Sequence, residues 1–117
     1  MSDSGSAKRS EAQRVCESWR NLIFHPQFDE LLDCLSHHRR RLVLYLLKEE
    51  AIDSDSDIPP LVEDQPERAM VELKHRHLPK LKSAGFVHWN QRTGALSEGP
   101  RFDEVVVFFD FFESRLN

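Results

Sequence analysis

Apolar residues recur at helical spacing over most of this chain, and the exceptions mark its breaks. From Ser10, a natural cap with Gln13 three residues on, Val15, Trp19, Leu22 and Ile23 recur with a helical period. His25-Pro26 closes that segment, because the residue before proline is pushed out of the helical region. A second helix is predicted from Pro26, carrying Phe28, Leu31, Leu32 and Leu35. Ser36 then reads as the cap of a third, His37 to Glu49, with Leu42, Tyr45 and Leu46 on one side and Val43 and Leu47 adjacent. So much apolar surface predicts a helix central to the core. The three arginines at its start, Arg39 to Arg41, oppose its dipole.

Asp53-Ser54-Asp55-Ser56-Asp57 is a turn-rich break, and Ile58-Pro59-Pro60-Leu61-Val62 suits a short helix. Asp64-Gln65-Pro66-Glu67 is a helix start: an acid, a proline and an acid in the first turn. The helix that follows places Met70, Leu73, His77, Leu81 and Ala84 on one stripe, with Leu78 beside it. Pro79 removes a backbone donor, so a kink or split is expected near His77, and Gly85 ends the helix. Phe86 to Asn90 reads as a strand, Gln91 to Gly94 as a turn and Ala95 to Ser97 as the returning strand. After Gly99-Pro100, Phe102, Val105, Val106, Phe109, Phe112 and Leu116 again follow a helical period.

This order predicts a mainly α fold with a small β-hairpin: a winged helix-turn-helix with flanking helices at both ends. Residues 1–9 read as a flexible tail, 10–25 as the N-terminal flanking helix, 26–100 as the domain and 101–117 as a C-terminal helix suited to dimerisation.

Charge sharpens the picture. The net charge is −4, which counts against a general nucleic-acid coat protein, but the charge is segregated. Glu49 to Glu67 holds eight acids and no lysine or arginine, whereas Arg68 to Lys82 holds Arg68, Lys74, Arg76, Lys80 and Lys82 against Glu72 alone. With the apolar stripe inward, Arg68, Val71, Glu72, His75, Arg76, Pro79 and Lys82 face out. Arg68, Glu72 and His75 are placed to meet base edges. Arg76, Lys80 and Lys82 suit phosphates, and Arg92 at the hairpin tip suits the minor groove or backbone. Arg39, Arg40 and Arg41 are either phosphate ligands or partners of the acidic run. Trp19, Phe102, Phe108, Phe109, Phe111 and Phe112 form more aromatic surface than one domain needs, and are candidates for a homodimer contact.

Other chemistry finds little support. Asp53 to Asp57 has the alternating oxygens of a calcium loop without its glycine and distal glutamate. His37-His38 and His75-x-His77 have no cysteine at ligand spacing, so no metal or other cofactor is expected. There is no phosphate-binding glycine loop, His-Glu-x-x-His or nucleophile elbow, so the chain does not read as an enzyme. No apolar run is long enough for a membrane span, and Met1 to Gly5 lacks the apolar stretch of a secretory signal. A cytoplasmic location, with Cys16 and Cys34 as free thiols, is the expectation.

The stretch Leu35 to Leu47, together with His75-Arg76-His77-Leu78-Pro79-Lys80-Leu81 and Ala84-Gly85, resembles a haloarchaeal family of small winged-helix domains of unassigned function. That family is distantly similar to ArsR-type and MarR-type regulators. The resemblance covers roughly residues 28 to 97 and implies a winged-helix fold and, by analogy, a role in transcription. The expected function is a homodimeric transcription regulator that binds double-stranded DNA. The alternative is a protein-interaction module that kept the fold without DNA binding.

Overall fold

The structure, a computed structural model, describes residues 3–23, 25–59 and 64–116. The chain divides into two compact units, residues 1–30 and 31–117.

The first unit is built on α1 (Asp3–Ile23), which starts seven residues before the expected cap at Ser10 and so takes in most of the expected tail. Ala7, Lys8 and Arg9 are good helix formers and carry the helix back past a cap that is not used, whereas no propensity in Asp3 to Ser6 favours its first turn. Every side chain from Ala7 to Arg20 is exposed. A second helix, α2 (Pro26–Leu35), begins in this unit and ends in the next.

In the second unit the elements are the end of α2, α3 (His38–Lys48), a 3₁₀ turn (Asp55–Asp57), α4 (Pro66–Glu72), a π turn (Leu73–His77), α5 (Leu78–Ser83), β1 (Val87–Trp89), β2 (Leu96–Glu98) and α6 (Phe102–Leu116). The architecture is therefore mainly helical with one antiparallel hairpin, as the periodicities predict. The short helix expected from Ile58 is not formed at Ile58 and Pro59, and its remainder lies outside the described residues.

The buried stripe of α3 is Arg40, Val43, Leu44 and Leu47, with Tyr45 on the surface. This spacing of three, four and seven defines one helix face, and it corrects the expected stripe by about one position. Arg40 is only 4% exposed. Its Nε donates to Cys34 O at 2.9 Å, and Nη2 donates to Asp33 O at 2.9 Å and Ser36 Oγ at 3.3 Å. Arg41 Nη1 donates to Leu35 O at 2.7 Å. The last carbonyls of α2 have no partners within their own helix and lie at its negative end. The two arginines at the start of α3 satisfy them, which explains cations that oppose α3's own dipole. For Arg40, buried and held by these carbonyls, the expected alternatives of pairing with the acidic run or binding phosphate are superseded. His37, not Ser36, caps α3, its Nδ1 accepting from Arg39 N at 3.1 Å.

Pro66 is the first residue of α4. The π turn accommodates the missing N–H of Pro79: Leu78 N donates to Leu73 O, one residue further back than in an α-helix. Gly85, at φ +86°, ends α5, and Phe86 N donates to Leu81 O at 3.0 Å. Arg101 Nη1 donates to Ala84 O at 3.0 Å while its guanidinium lies 4.5 Å from the centre of the Phe86 ring.

The hairpin pairs Val87 with Glu98, His88 with Ser97 and Trp89 with Leu96. Val87, Trp89 and Leu96 face the core and His88 faces out. The acidic break has a structural role that periodicity does not reveal. Ser54 bridges antiparallel to Ala95, Leu96 N donates to Asp53 O at 3.0 Å, and the buried carboxylate of Asp55 accepts from Trp89 Nε1 at 3.1 Å. Gly99 is required where the chain crosses its own start: a Cβ there would lie 2.6 Å from Gly85 O and 2.7 Å from Val87 N.

Around these elements the core gathers Cys34, Leu35, Val43, Leu44, Leu47, Leu73, Leu78, Leu81, Phe86, Val87, Trp89, Leu96, Phe102 and Val105. Cys34 is buried in it, Cys16 is exposed on α1, and both are free thiols. Among the described residues no helix is long and apolar enough to cross a membrane.

Candidate nucleic-acid interface

The outward flank of α4, the π turn and α5 is cationic. Arg68, Lys74, His75, Arg76 and Lys82 are exposed along it, and Arg92 is exposed at the hairpin tip. The hairpin follows α5 after Gly85, so the cationic helical segment and the ribbon are consecutive. An open groove of about 980 Å³ runs between them, lined by Lys82, His88, Trp89, Asn90 and Arg92, with Asp53 at its edge. The tip is a tight turn: Gly94 N donates to Asn90 O at 2.7 Å, and Asn90 Oδ1 accepts from Arg92 N at 3.0 Å and Thr93 N at 3.1 Å. This fixes the backbone from which Arg92 projects.

Five of the seven sequence-selected residues, Arg68, His75, Arg76, Lys82 and Arg92, are thus solvent-facing. The other two are engaged within the protein. Lys80 Nζ lies 2.5 Å from Asp33 Oδ2, and that contact holds the Asp33 carboxyl below its ordinary range. Glu72 accepts from Arg39 Nη1 and lies 3.9 Å from Arg68 Nε. The hydrogen bond from Arg39, with the Arg68 charge nearby, holds the Glu72 carboxyl below its ordinary range. Arg39 therefore pairs with an acid of α4. Lys74 is a residue of this face that spacing misses, and the register shift at the π turn brings it in.

Beneath this surface His77 is fully buried. Arg40 Nη1 lies 3.0 Å from His77 Nδ1. A guanidinium only donates, so Nδ1 is the acceptor and the neutral ring carries its proton on Nε2. That Nε2 is buried without a hydrogen-bond partner. The His37 ring packs at 4.4 Å from the His77 ring. Burial, and then the charges of His37, Arg40, Arg76 and Arg39, push the His77 pKa down to about 4. His37 is also lowered, by burial first and then by His38 and the neighbouring arginines. Both rings are therefore held neutral near pH 7, and the fixed cations supply the charge of this face. Among the described residues no three His, Cys, Asp or Glu side chains are grouped to hold a metal ion.

The aromatic residues divide. Phe102 is 3% exposed in the protein's own core, which removes it from any face open to a second copy. Phe108 and Phe109 are half-buried, with Phe109 edge-on to Tyr45 of α3 at 5.4 Å. Phe111, Phe112, Val107 and Leu116 are exposed on α6. Lys48 of α3 lies 3.4 Å from Asp110 and 3.9 Å from Glu113, which ties α6 down beside this surface. Trp19, on α1 in the other unit, is exposed.

A protein-family model described as a domain of unknown function (DUF7344) matches residues 32–97, more than half of the chain, and the chain belongs to that family. Neither the curated proteins nor the solved structures contain a match.

Proposed function

We propose that this member of the DUF7344 family is a winged helix-turn-helix DNA-binding regulator that works as a homodimer. In this reading α3 is the first helix of the motif, α4 to α5 is the recognition helix and the β1–β2 hairpin is the wing. The Ser54–Ala95 bridge supplies the short third strand against the wing. The span between Ile58 and Gln65, part of it outside the described residues, stands where the plan has its middle helix. The observation that carries the reading is the exposed cationic flank, Arg68, Lys74, His75, Arg76 and Lys82, immediately ahead of a ribbon tipped by Arg92.

Three to five phosphate contacts per protomer follow from these exposed cations. Each contributes about −0.9 to the log–log salt slope, so about −3 to −4.5 is expected per protomer and twice that for a dimer. A second copy is the occupant proposed for the exposed α6 face of Val107, Phe111, Phe112 and Leu116. Pairing two weakly charged half-sites is what raises the affinity to a useful level.

Fluorescence anisotropy with a random duplex, between about 50 and about 200 mM salt, tests the reading. The expected result is binding that weakens steeply with salt and is lost in Arg76→Glu, with the fold intact by circular dichroism. Unchanged binding in Arg76→Glu removes this helix from the interface. Sedimentation at micromolar concentration should give a dimer that Phe111→Glu/Phe112→Glu converts to monomer.

A second reading, a protein-interaction module, draws on the net charge of −4 and on the internal pairing of Glu72 and Lys80. It requires a folded chain with no affinity for any duplex.

A further inference from the structure

Glu72 is the only acid between Arg68 and Lys82, and it ends α4 in the middle of the cationic flank. Its carboxylate joins two elements and two arginines: Arg39 from the first turn of α3, and Arg68 one turn back on α4. The Arg39 side chain is 19% exposed, that of Glu72 38% and that of Arg68 74%, so the cluster opens outward from α3 toward solvent. His37 caps α3 through Arg39 N, which fixes the backbone from which Arg39 reaches.

A carboxylate in this place opposes the purpose of a phosphate-binding face. It neutralises two cations and repels the duplex whatever its sequence. What a carboxylate offers in return is selectivity. In the major groove it accepts a hydrogen bond from the N4 amino group of cytosine, whereas the acceptors of guanine and thymine, and the N7 beside the amino group of adenine, repel it. Recognition of one partner through repulsion of the others is a common source of discrimination.

Building on the DNA-binding reading above, we propose that Glu72 is the specificity-determining residue of this face. In the free protein it holds Arg39 and Arg68. On duplex DNA it releases the exposed Arg68 to a phosphate and accepts from the amino group of a cytosine. On sequences without that amino group the arginines stay paired and binding is weak.

The test compares the full chain with Glu72→Gln in three measurements: selection from a random duplex pool, salt-dependent anisotropy with a random duplex, and thermal melting. Glutamine can still accept from Arg39 but carries no charge. The variant is expected to bind random duplex on the order of tenfold more tightly, with a salt slope steeper by up to about 0.9 for the released Arg68. It should lose the cytosine requirement at one position per half-site and melt near the wild type. Arg68→Gln provides a second readout, and should keep the cytosine preference while weakening binding to all duplexes. Wild-type binding combined with unchanged affinity and unchanged preference in Glu72→Gln overturns the proposal alone. So does a variant whose only change is a lower melting temperature, because Glu72 is then a staple between α3 and α4. If neither protein binds any duplex, the DNA-binding reading falls as well.

Discussion

Arg40→Met removes a guanidinium that is almost wholly buried and keeps most of its volume on the α3 stripe. Four hydrogen bonds are lost: to Cys34 O, Asp33 O, Ser36 Oγ and His77 Nδ1. Asp33 and Ser36 are exposed, so water replaces the arginine there. His77 is buried, and water cannot reach its Nδ1 easily. A stranded acceptor costs about 1–3 kcal/mol, and the lost bonds at the end of α2 add to it. Part of that is offset because the variant no longer has to desolvate a charge. The net expectation is a loss of roughly 1–3 kcal/mol. In a unit of this size it lowers the midpoint of thermal unfolding by roughly 5–20 °C. Urea unfolding followed by Trp89 fluorescence, in a Trp19→Phe background, measures it. Adding His77→Leu to Arg40→Met should restore at least about 1 kcal/mol, because one stranded acceptor is then gone. A loss below about 0.5 kcal/mol in Arg40→Met would refute the view that this arginine holds the end of α2 to α3 and His77.

Two further outcomes follow from the same geometry. His77 has its pKa lowered from 6.5 to about 4 in the folded state, so the unfolded chain binds more protons between those values. Stability is full above about pH 6.5 and falls by roughly 3 kcal/mol as pH drops toward 4. In His77→Gln, which can still accept from Arg40, urea midpoints measured across that window should be markedly flatter, leaving the smaller contribution of His37. Gly99→Ala drives a Cβ against the backbone of Gly85 and Val87. It should cost more than about 2 kcal/mol by calorimetry, whereas a cost near zero would mean the crossing can relax.

The part of the fold most legible in the sequence runs from Asp64 to Ser97. Its punctuation is local: Pro66 starts a helix, Pro79 disturbs one, Gly85 ends one, and Gly94 closes a turn between two short apolar stretches. The exposed cations followed directly, because Leu73, His77, Leu81 and Ala84 face inward as their spacing requires. What was hidden depends on contacts between distant segments. Arg40 completes the apolar stripe of α3, but a charged residue is discounted when a stripe is read by hydrophobicity alone. The strand-like role of Ser54 and the burial of Asp55 need Ala95 and Trp89, which no local pattern of an acidic run reveals. The same holds for Glu72 and Lys80. Each reads as a free outward residue until Arg39 and Asp33 are brought beside it by the packing of α3 and the end of α2 against α4 and α5. Phe102 was read as surplus aromatic surface, and the core absorbs it.

Amide chemical shifts of the isotope-labelled chain, followed during titration with a duplex taken from the selected pool, test the central claim most directly. The account predicts that the largest changes fall on Arg68 to Lys82 and on the hairpin tip around Arg92, with the far end of α6 unmoved. Changes confined to α6 or α1, or none anywhere, would contradict it.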